Sequence, residues 1–382
     1  MKKFIGFGLL VLILSCSEPT VYTNALDAAL SSQDDRIKKV MDSLEVHQIQ
    51  VRFTQIDRNG DSLIFTEHSF QVDDSTYFYP ASTVKLPASV AALEKLGELD
   101  SLHRNTRFYI EGDTTETTFA RAIDEIFAVS DNEANNRLIE FLGFDDLNKR
   151  VSRTGTKPIR ISHRLSTSKA DDVTTKPLII HKNDSSIAVS GAIVNSPPKS
   201  ISLKNIKKGK GFYAGDSLYK EPFDFGLKNY YPISTQHDLL KRVIFPEAFE
   251  PNERFHLSSN QREFLLKSMS ALPYQAGYDR KKYYDSYVKF FMFGDSEQNI
   301  PEHIKIYNKV GYAYGTLTDC AYIKDIKNDI DFMLTATILV NEDGVFNDDN
   351  YEYDEVGIPF LAQLGREIYD FELKRKKRST TR

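Results

Sequence analysis

The sequence predicts an α/β (α+β) fold: an antiparallel sheet built from N- and C-terminal segments, flanked by helices and set beside a helical lobe. Three observations predict it. Apolar and polar residues alternate with a period of two near the start of the chain and again near its end. Between those stretches, apolar residues recur at helical spacing. The 382 residues are 41% hydrophobic and 12% aromatic, without long polar tracts, so core size is not limiting. One domain is expected over residues 36–382, with an insertion at about 173–224 that is rich in Lys, Ser, Gly and Pro.

The chain begins with Lys2 and Lys3 ahead of an apolar run from Ile5 to Leu14, then Ser15-Cys16 and the polar Ser17-Glu18-Pro19. The run is shorter than the roughly 20 residues that span a bilayer. It resembles a bacterial lipoprotein signal. That resemblance implies a signal peptide at 1–15, lipidation of Cys16 as the mature N-terminus, and a polar tether at 16–35. An ordinary cleaved secretory signal with an incidental cysteine is the alternative. The first reading implies an extracytoplasmic, membrane-anchored lipoprotein, periplasmic or on the outer membrane, held by acyl chains worth about 0.8 kcal/mol per buried CH₂.

Past the tether a first helix is expected. Val46 to Ile56 then alternates as a strand, Asp57-Arg58-Asn59-Gly60-Asp61 is a hairpin turn, and Ser62 to His68 resumes the extended pattern. Ser82 to Leu96 has apolar residues at Val84, Leu86, Val90, Ala91 and Leu93 and stops at Gly97, which is the pattern of a helix. Helical patterns recur at Phe119 to Val129, Glu133 to Leu142, Asp238 to Val243 and Gln261 to Met269. Short β-like runs such as Ser185 to Val194 fall in the insertion. Strands return at Lys305 to Val310, Thr318 to Lys324 and Phe332 to Val340, before a terminal helix from about Ile358 to Leu373. Its basic tail, Lys374-Arg375-Lys376-Lys377-Arg378, suits a helix C-terminus, where cations are favoured.

Composition narrows the function classes. A formal net charge of -5 predicts no nucleic-acid partner. Once Cys16 is used, only Cys320 remains; it lies in an apolar run and reads as buried filler. The eight histidines are scattered without paired metal-ligand spacing, so no metal and no cofactor are expected. The protein is expected to be a monomer.

Three short elements carry chemistry: Ser82-Thr83-Val84-Lys85, Ser130-Asp131-Asn132 and Lys309-Val310-Gly311. Singly they mean little, because Ser-x-x-Lys also occurs at Ser166/Lys169, Ser196/Lys199, Ser217/Lys220 and Ser286/Lys289. Their order and surroundings give them weight. A serine hydroxyl is a poor nucleophile until a neighbouring base takes its proton, and a lysine one helical turn later lies on the same face. For that duty the amine must be neutral, and burial beside a second cation such as Lys309 lowers its pKa. A helix start adds free backbone N–H groups and a positive dipole end that favour an oxyanion.

The chain here resembles the penicillin-recognising serine enzymes, most closely the class A β-lactamases, whose Ser-x-x-Lys, Ser-Asp-Asn and Lys-Thr-Gly elements these are. The match runs on through Phe78 to Leu86, Ser130 to Ile139, Ile233 to Leu240 and Lys309 to Ala321. The resemblance implies a β-lactamase/transpeptidase-like fold and an acyl-enzyme on Ser82. Lys85 would be the base partner, Ser130 would deliver a proton to the leaving nitrogen, and Lys309 would supply positive charge. Asn132 would donate to the substrate amide. The backbone N–H groups of Ser82 and Tyr312, the latter beside Gly311, would form the oxyanion hole. Asp131 and Asn136 read as structural residues that hold loops.

The pattern departs from the family in two places. No Glu-x-x-Leu-Asn occurs; Glu221-Pro222 falls near the expected position, so Glu221 is the candidate deacylation base, against the plain reading of a surface glutamate. Val310 stands where the family has a hydroxyl residue that donates to the substrate carboxylate, and no arginine at Leu317 or Thr318 compensates. If the basic cluster Lys204, Lys207, Lys208 and Lys210 faces the cleft, an anionic substrate such as a cell-wall peptide is expected. The reading is an anchored serine hydrolase, first a class A type β-lactamase acting on a β-lactam. Alternatives are a D-alanyl carboxypeptidase or esterase of the same fold, and a non-catalytic lipoprotein that binds cell-wall fragments.

Overall fold

The computed structural model describes residues 22–60, 62–183 and 185–380. The signal peptide and Cys16 lie outside the described residues. In chain order α1 (Ala25–Leu30), α2 (Asp35–Met41) and α3 (Leu44–His47) precede a hairpin of β1 (Gln50–Asn59) and β2 (Ser62–Phe70). The lobe follows: α4 (Lys85–Gly97), β3 (Arg107–Ile110), β4 (Thr117–Thr118), α5 (Phe119–Val129), α6 (Asn132–Leu142) and α7 (Phe144–Arg153). Then come β5 (Leu178–Asn183), β6 (Ser186–Val189), β7 (Lys207–Lys208), β8 (Gly211–Ala214), β9 (Ser217–Tyr219) and β10 (Phe223–Asp224). Helices α8 (Ile233–Ile244) and α9 (Ser259–Ser270) lead to β11 (Ile304–Ala313), β12 (Thr316–Asp325), β13 (Ile330–Leu339) and β14 (Val345–Phe346), and α10 (Ile358–Thr380) closes the chain.

The main sheet has the order β11-β12-β13-β1-β2, so its two ends of sequence do meet. The seam is antiparallel, from Gln50 opposite Thr337 to Gln55 opposite Phe332. Period-two alternation sorts side chains to opposite faces of the sheet. Val51, Phe53, Phe332 and Leu334 pack in one core with Leu26, Ile37, Phe360 and Leu364 from the helices α1, α2 and α10. Ile56, Cys320, Tyr322 and Met333 pack in the other with Leu86, Val90, Ile123, Leu138, Leu239 and Leu265 from the lobe and α8. The sheet is therefore sandwiched between the terminal helices and the lobe. Cys320 is buried filler, as its apolar surroundings suggest.

Several boundaries move, each for a tertiary reason. The segment expected as tether is packed from Asn24 onward. The Asn24 side chain caps α1 by accepting the Asp27 N–H at 2.9 Å, and Ala25, Leu26, Ala29 and Leu30 are buried. The strand expected from Val46 begins instead at Gln50, because α3 occupies the preceding residues and left-handed Gln48 (φ 44°) ends it. His47 Nδ1 donates to the Leu339 carbonyl at 3.0 Å and ties that turn to the sheet. Helix α7 was not expected; only Phe144, Leu147 and Val151 are buried on it, a stripe too sparse to show in the sequence. The start of the expected insertion belongs to the lobe, since β5 and β6 continue a second sheet in the order β4-β3-β5-β6 and Leu178 and Ile180 enter the lobe core.

The docking of α1 yields a prediction. Leu26 is 1% exposed, so Leu26→Ala should destabilise the protein by about 2–4 kcal/mol in urea unfolding. A mere tether residue would show no change.

Candidate active site

Ser82 sits in a 3₁₀ turn, Ala81–Val84, that runs directly into α4. Ala81 adopts a left-handed conformation (φ 46°), and Thr83 locks the turn by donating its N–H (3.1 Å) and its hydroxyl (2.7 Å) to the Pro80 carbonyl. The turn places Lys85 at the first residue of α4 with no solvent exposure. β11 lies against this turn. A Cβ at Gly311 would come within 2.6 Å of the Pro80 oxygen and 2.9 Å of both the Ser82 and Thr83 nitrogens, so only glycine allows the approach. Tyr314 (φ 53°) and Gly315 (φ 67°) form the tight turn that follows. Ala313 and Thr316 flank it as partners, so the next pair, Tyr312 and Leu317, is of the non-hydrogen-bonded kind. The Tyr312 N–H therefore points off the sheet edge, beside the Ser82 backbone.

Ser130 joins α5 to α6 in a left-handed conformation (φ 58°, ψ 41°), held by its own N–H to the Glu125 carbonyl. Such a residue costs about 1–2 kcal/mol and is compensated by its surroundings. Asp131 caps α6 by accepting the Ala134 N–H at 2.7 Å, which is the structural role expected of it. This bend turns both the carbonyl and the hydroxyl of Ser130 toward Lys85. Lys85 Nζ donates to that carbonyl, to Ser130 Oγ at 3.2 Å and to Asn132 Oδ1 at 2.6 Å. From the opposite side Lys309 Nζ donates to Ser130 Oγ at 2.8 Å and to the Val310 carbonyl at 2.8 Å. With both lone pairs engaged, the Ser130 hydroxyl keeps its own proton to give.

Burial sets the charge state of the amines. It holds Lys85 down at about 7. Lys309 is pushed well below its ordinary value by burial and then by the cation of Lys85 beside it. Behind Lys309, Asn308 bridges Lys289 Nζ (2.7 Å) and Asp319 Oδ1 (2.8 Å), while Asp319 also receives the Phe290 N–H at 3.1 Å. Burial raises Asp319 to about 6 and lowers Lys289 to about 7.

The structure thus brings Ser82, Lys85, Ser130, Asn132, Lys309, Gly311 and Tyr312 together. It adds two corrections to the expected roles. No hydrogen bond joins the Ser82 hydroxyl to Lys85 among the described residues; the amine is engaged with Ser130 and Asn132 instead. Glu221 is exposed and is absent from the lining of the cleft, because the insertion packs toward β14 through β8 rather than across the nucleophile. Its candidacy as deacylation base falls. The basic cluster is elsewhere too: Lys204 pairs with Asp73 at 3.2 Å and Lys208 donates to Gln48 at 2.8 Å.

A cleft of about 400 Å³ opens over Ser82. Asn132, Leu165 and Ser166 form one wall, while Tyr312, Tyr314, Asn347, Asp349, Tyr351 and Tyr353 form the other. Tyr79, Ala81 and Ala313 complete the lining. Ser166 accepts from Asn132 Nδ2 at 2.9 Å, which fixes the orientation of that amide. Its loop is held by Asn136, which exchanges hydrogen bonds with the Leu165 backbone at 2.8 and 2.9 Å, and by the buried Arg164–Glu140 ion pair at 2.6 Å. Sequence reasoning passed over Ser166 as one of several chance Ser-x-x-Lys matches. The tyrosines and Asp349 had no local signal. Val310 contributes nothing to the cleft, since its side chain is 1% exposed in the sheet core.

The close approach at Gly311 is testable. Gly311→Ala should displace β11 from the nucleophile turn, lowering acylation by at least about 10²-fold through a misplaced oxyanion donor and costing about 1–3 kcal/mol in stability. Acylation rate and urea midpoint measured on one preparation check both.

Comparison with known proteins agrees with this geometry. The model of a family described as the beta-lactamase enzyme family matches residues 32–195, a span that contains Ser82, Lys85, Ser130 and Asn132. No curated protein matches the chain. Among solved structures, a class A beta-lactamase from Mycobacterium abscessus is similar at 14% identity and a TM-score of 0.52, over 91% of this chain and 98% of that one. L2 complexed with relebactam is similar at 12% identity and a TM-score of 0.51, over 92% of this chain and 99% of that one. At such identities the structures speak for the fold alone: the chain has a β-lactamase-like fold, and over residues 32–195 it is similar to the beta-lactamase enzyme family.

Proposed function

We propose that the protein is a serine hydrolase that cleaves an amide or ester through an acyl-enzyme on Ser82. The observation that carries this is the Ser130 hydroxyl bound by both Lys85 and Lys309 next to the nucleophile turn. On losing a proton Lys85 keeps two of its three donated hydrogen bonds and frees a lone pair, which takes the Ser82 proton as Ser82 Oγ bonds to the substrate carbonyl carbon. The oxyanion is held by the Ser82 and Tyr312 N–H groups. Ser130 gives its proton to the departing nitrogen or oxygen and is reprotonated from the lysine pair. Water then cleaves the acyl ester, releasing the acid and restoring the Ser82 hydroxyl.

A β-lactam is the first acylating substrate to test, as the family name suggests. A second reading, hydrolysis of an ester or peptide bond, is favoured by the burial of Val310, which leaves a substrate carboxylate without the usual hydroxyl donor. Each missing charged hydrogen bond costs roughly 1.5–3 kcal/mol. Cys16 is proposed as a lipid anchor that holds the enzyme outside the cytoplasm. Among the described residues, no helix is long and apolar enough to cross a membrane. Palmitate labelling that is lost in Cys16→Ala checks the anchor.

Two measurements test the chemistry. Wild-type protein and Ser82→Ala mixed separately with a chromogenic cephalosporin and with a 4-nitrophenyl ester, with intact mass followed over time, should show with at least one of the two an adduct or turnover that the variant lacks. Neither adduct nor hydrolysis of any amide or ester would sink the reading. Glu221→Gln should leave the deacylation rate unchanged. The acylation rate should rise with pH through about 7, because above that value Lys85 is neutral and able to accept a proton, and below it the amine is blocked.

A further inference from the structure

The cleft wall opposite Ser166 is aromatic and acidic. Tyr312 is 51% exposed and stands edge-on to Tyr353, with ring centroids 5.4 Å apart at 75°, and Tyr353 in turn meets Tyr351 at 5.3 Å. Backbone groups fix these rings in place: the Tyr353 hydroxyl accepts the Gly315 N–H at 2.8 Å, and the Tyr351 hydroxyl accepts the Asn347 N–H at 2.8 Å. Asp349, exposed on the same wall, makes no ion pair and no side-chain hydrogen bond among the described residues. Among the described residues, no lysine or arginine lines the cleft. The two amines nearest the nucleophile, on Lys85 and Lys309, are buried and spend their protons on Ser130, Asn132 and the Val310 carbonyl.

These features act in one direction. An aromatic face carries negative charge density and attracts a cation, and an unpaired carboxylate beside it adds to that attraction. A substrate carboxylate entering the same space meets the face of a tyrosine and a like charge, with no exposed cation to offset either. We infer that the cleft selects an acyl donor, ester or amide, that bears a protonated or quaternary amine and no carboxylate beside the scissile bond. Tyr312 and Tyr353 form the platform and Asp349 the counter-charge. This rests on the Ser82 hydrolase reading and narrows its substrate class.

The experiment has a kinetic arm and a binding arm, both on the full chain at low salt so that surface charge is not screened. In the first, kcat/KM is compared for the 4-nitrophenyl esters of 4-(trimethylammonio)butyrate and of glutarate. The ammonium ester should be favoured by about tenfold, and Asp349→Lys should abolish or reverse the ratio. In the second, Ser82→Ala is titrated calorimetrically with phenyltrimethylammonium and with benzoate. The cation should bind tighter by a similar factor, and adding Asp349→Lys should remove the difference. Preferential cation binding without any turnover would leave the charge selectivity standing and remove the hydrolase reading. Turnover with equal rates for the two esters, a preference for the carboxylate, or a preference that Asp349→Lys does not move would overturn the inference. So would failure of Ser82→Ala to bind either probe.

Discussion

One hydroxyl shared by two buried amines organises the centre of this protein. Ser130 Oγ receives Lys309 at 2.8 Å and Lys85 at 3.2 Å. An ammonium taken out of water loses its hydration, and two of them side by side repel as well, so the pair tends to give up a proton. That deprotonation is what turns a lysine into a base near neutral pH. The left-handed bend at Ser130 is the means by which one residue meets both amines, and the caps on α5 and α6 hold the bend in place.

The rest of the architecture keeps that meeting point dry and narrow. The sheet sits between two cores, and its edge strand β11 slides against the nucleophile turn because Gly311 has no side chain to prevent it. Behind Lys309, the chain from Lys289 through Asn308 to Asp319 satisfies polar groups that burial would otherwise leave costly. Across the cleft, the loop at Leu165 and Ser166 is fastened by Asn136 and by the Arg164–Glu140 pair. Asn132 thereby becomes a side chain with one end on Lys85 and the other on Ser166. An amide fixed at both ends is a positioned donor rather than a free one.

What the cleft lacks matters as much as what it holds. The insertion keeps Glu221 out of the cleft lining and pairs with β14. The other wall is left to tyrosines and Asp349. A serine turn set beside two buried amines is thus combined with a cleft wall of tyrosines and one carboxylate.

Local sequence was sufficient for part of this. The β1–β2 hairpin, the strands β11 to β13 and the helices α4, α5, α6 and α9 follow from periods of 2 and 3.6 and from turn residues, all of which act within a few positions of one another. The order of the Ser82, Ser130 and Lys309 elements also marked out the residues that meet in the candidate site. Other features required the folded chain. Ser130 lies 45 residues from Lys85 and 179 from Lys309, and Ser166 reaches Asn132 across 34. The docking of α1, the exclusion of Glu221 and the tyrosine wall likewise depend on which surfaces pack together. Residues so far apart leave no periodic trace, since their proximity is decided by apolar burial across the whole sheet and lobe rather than by the backbone preferences of their neighbours.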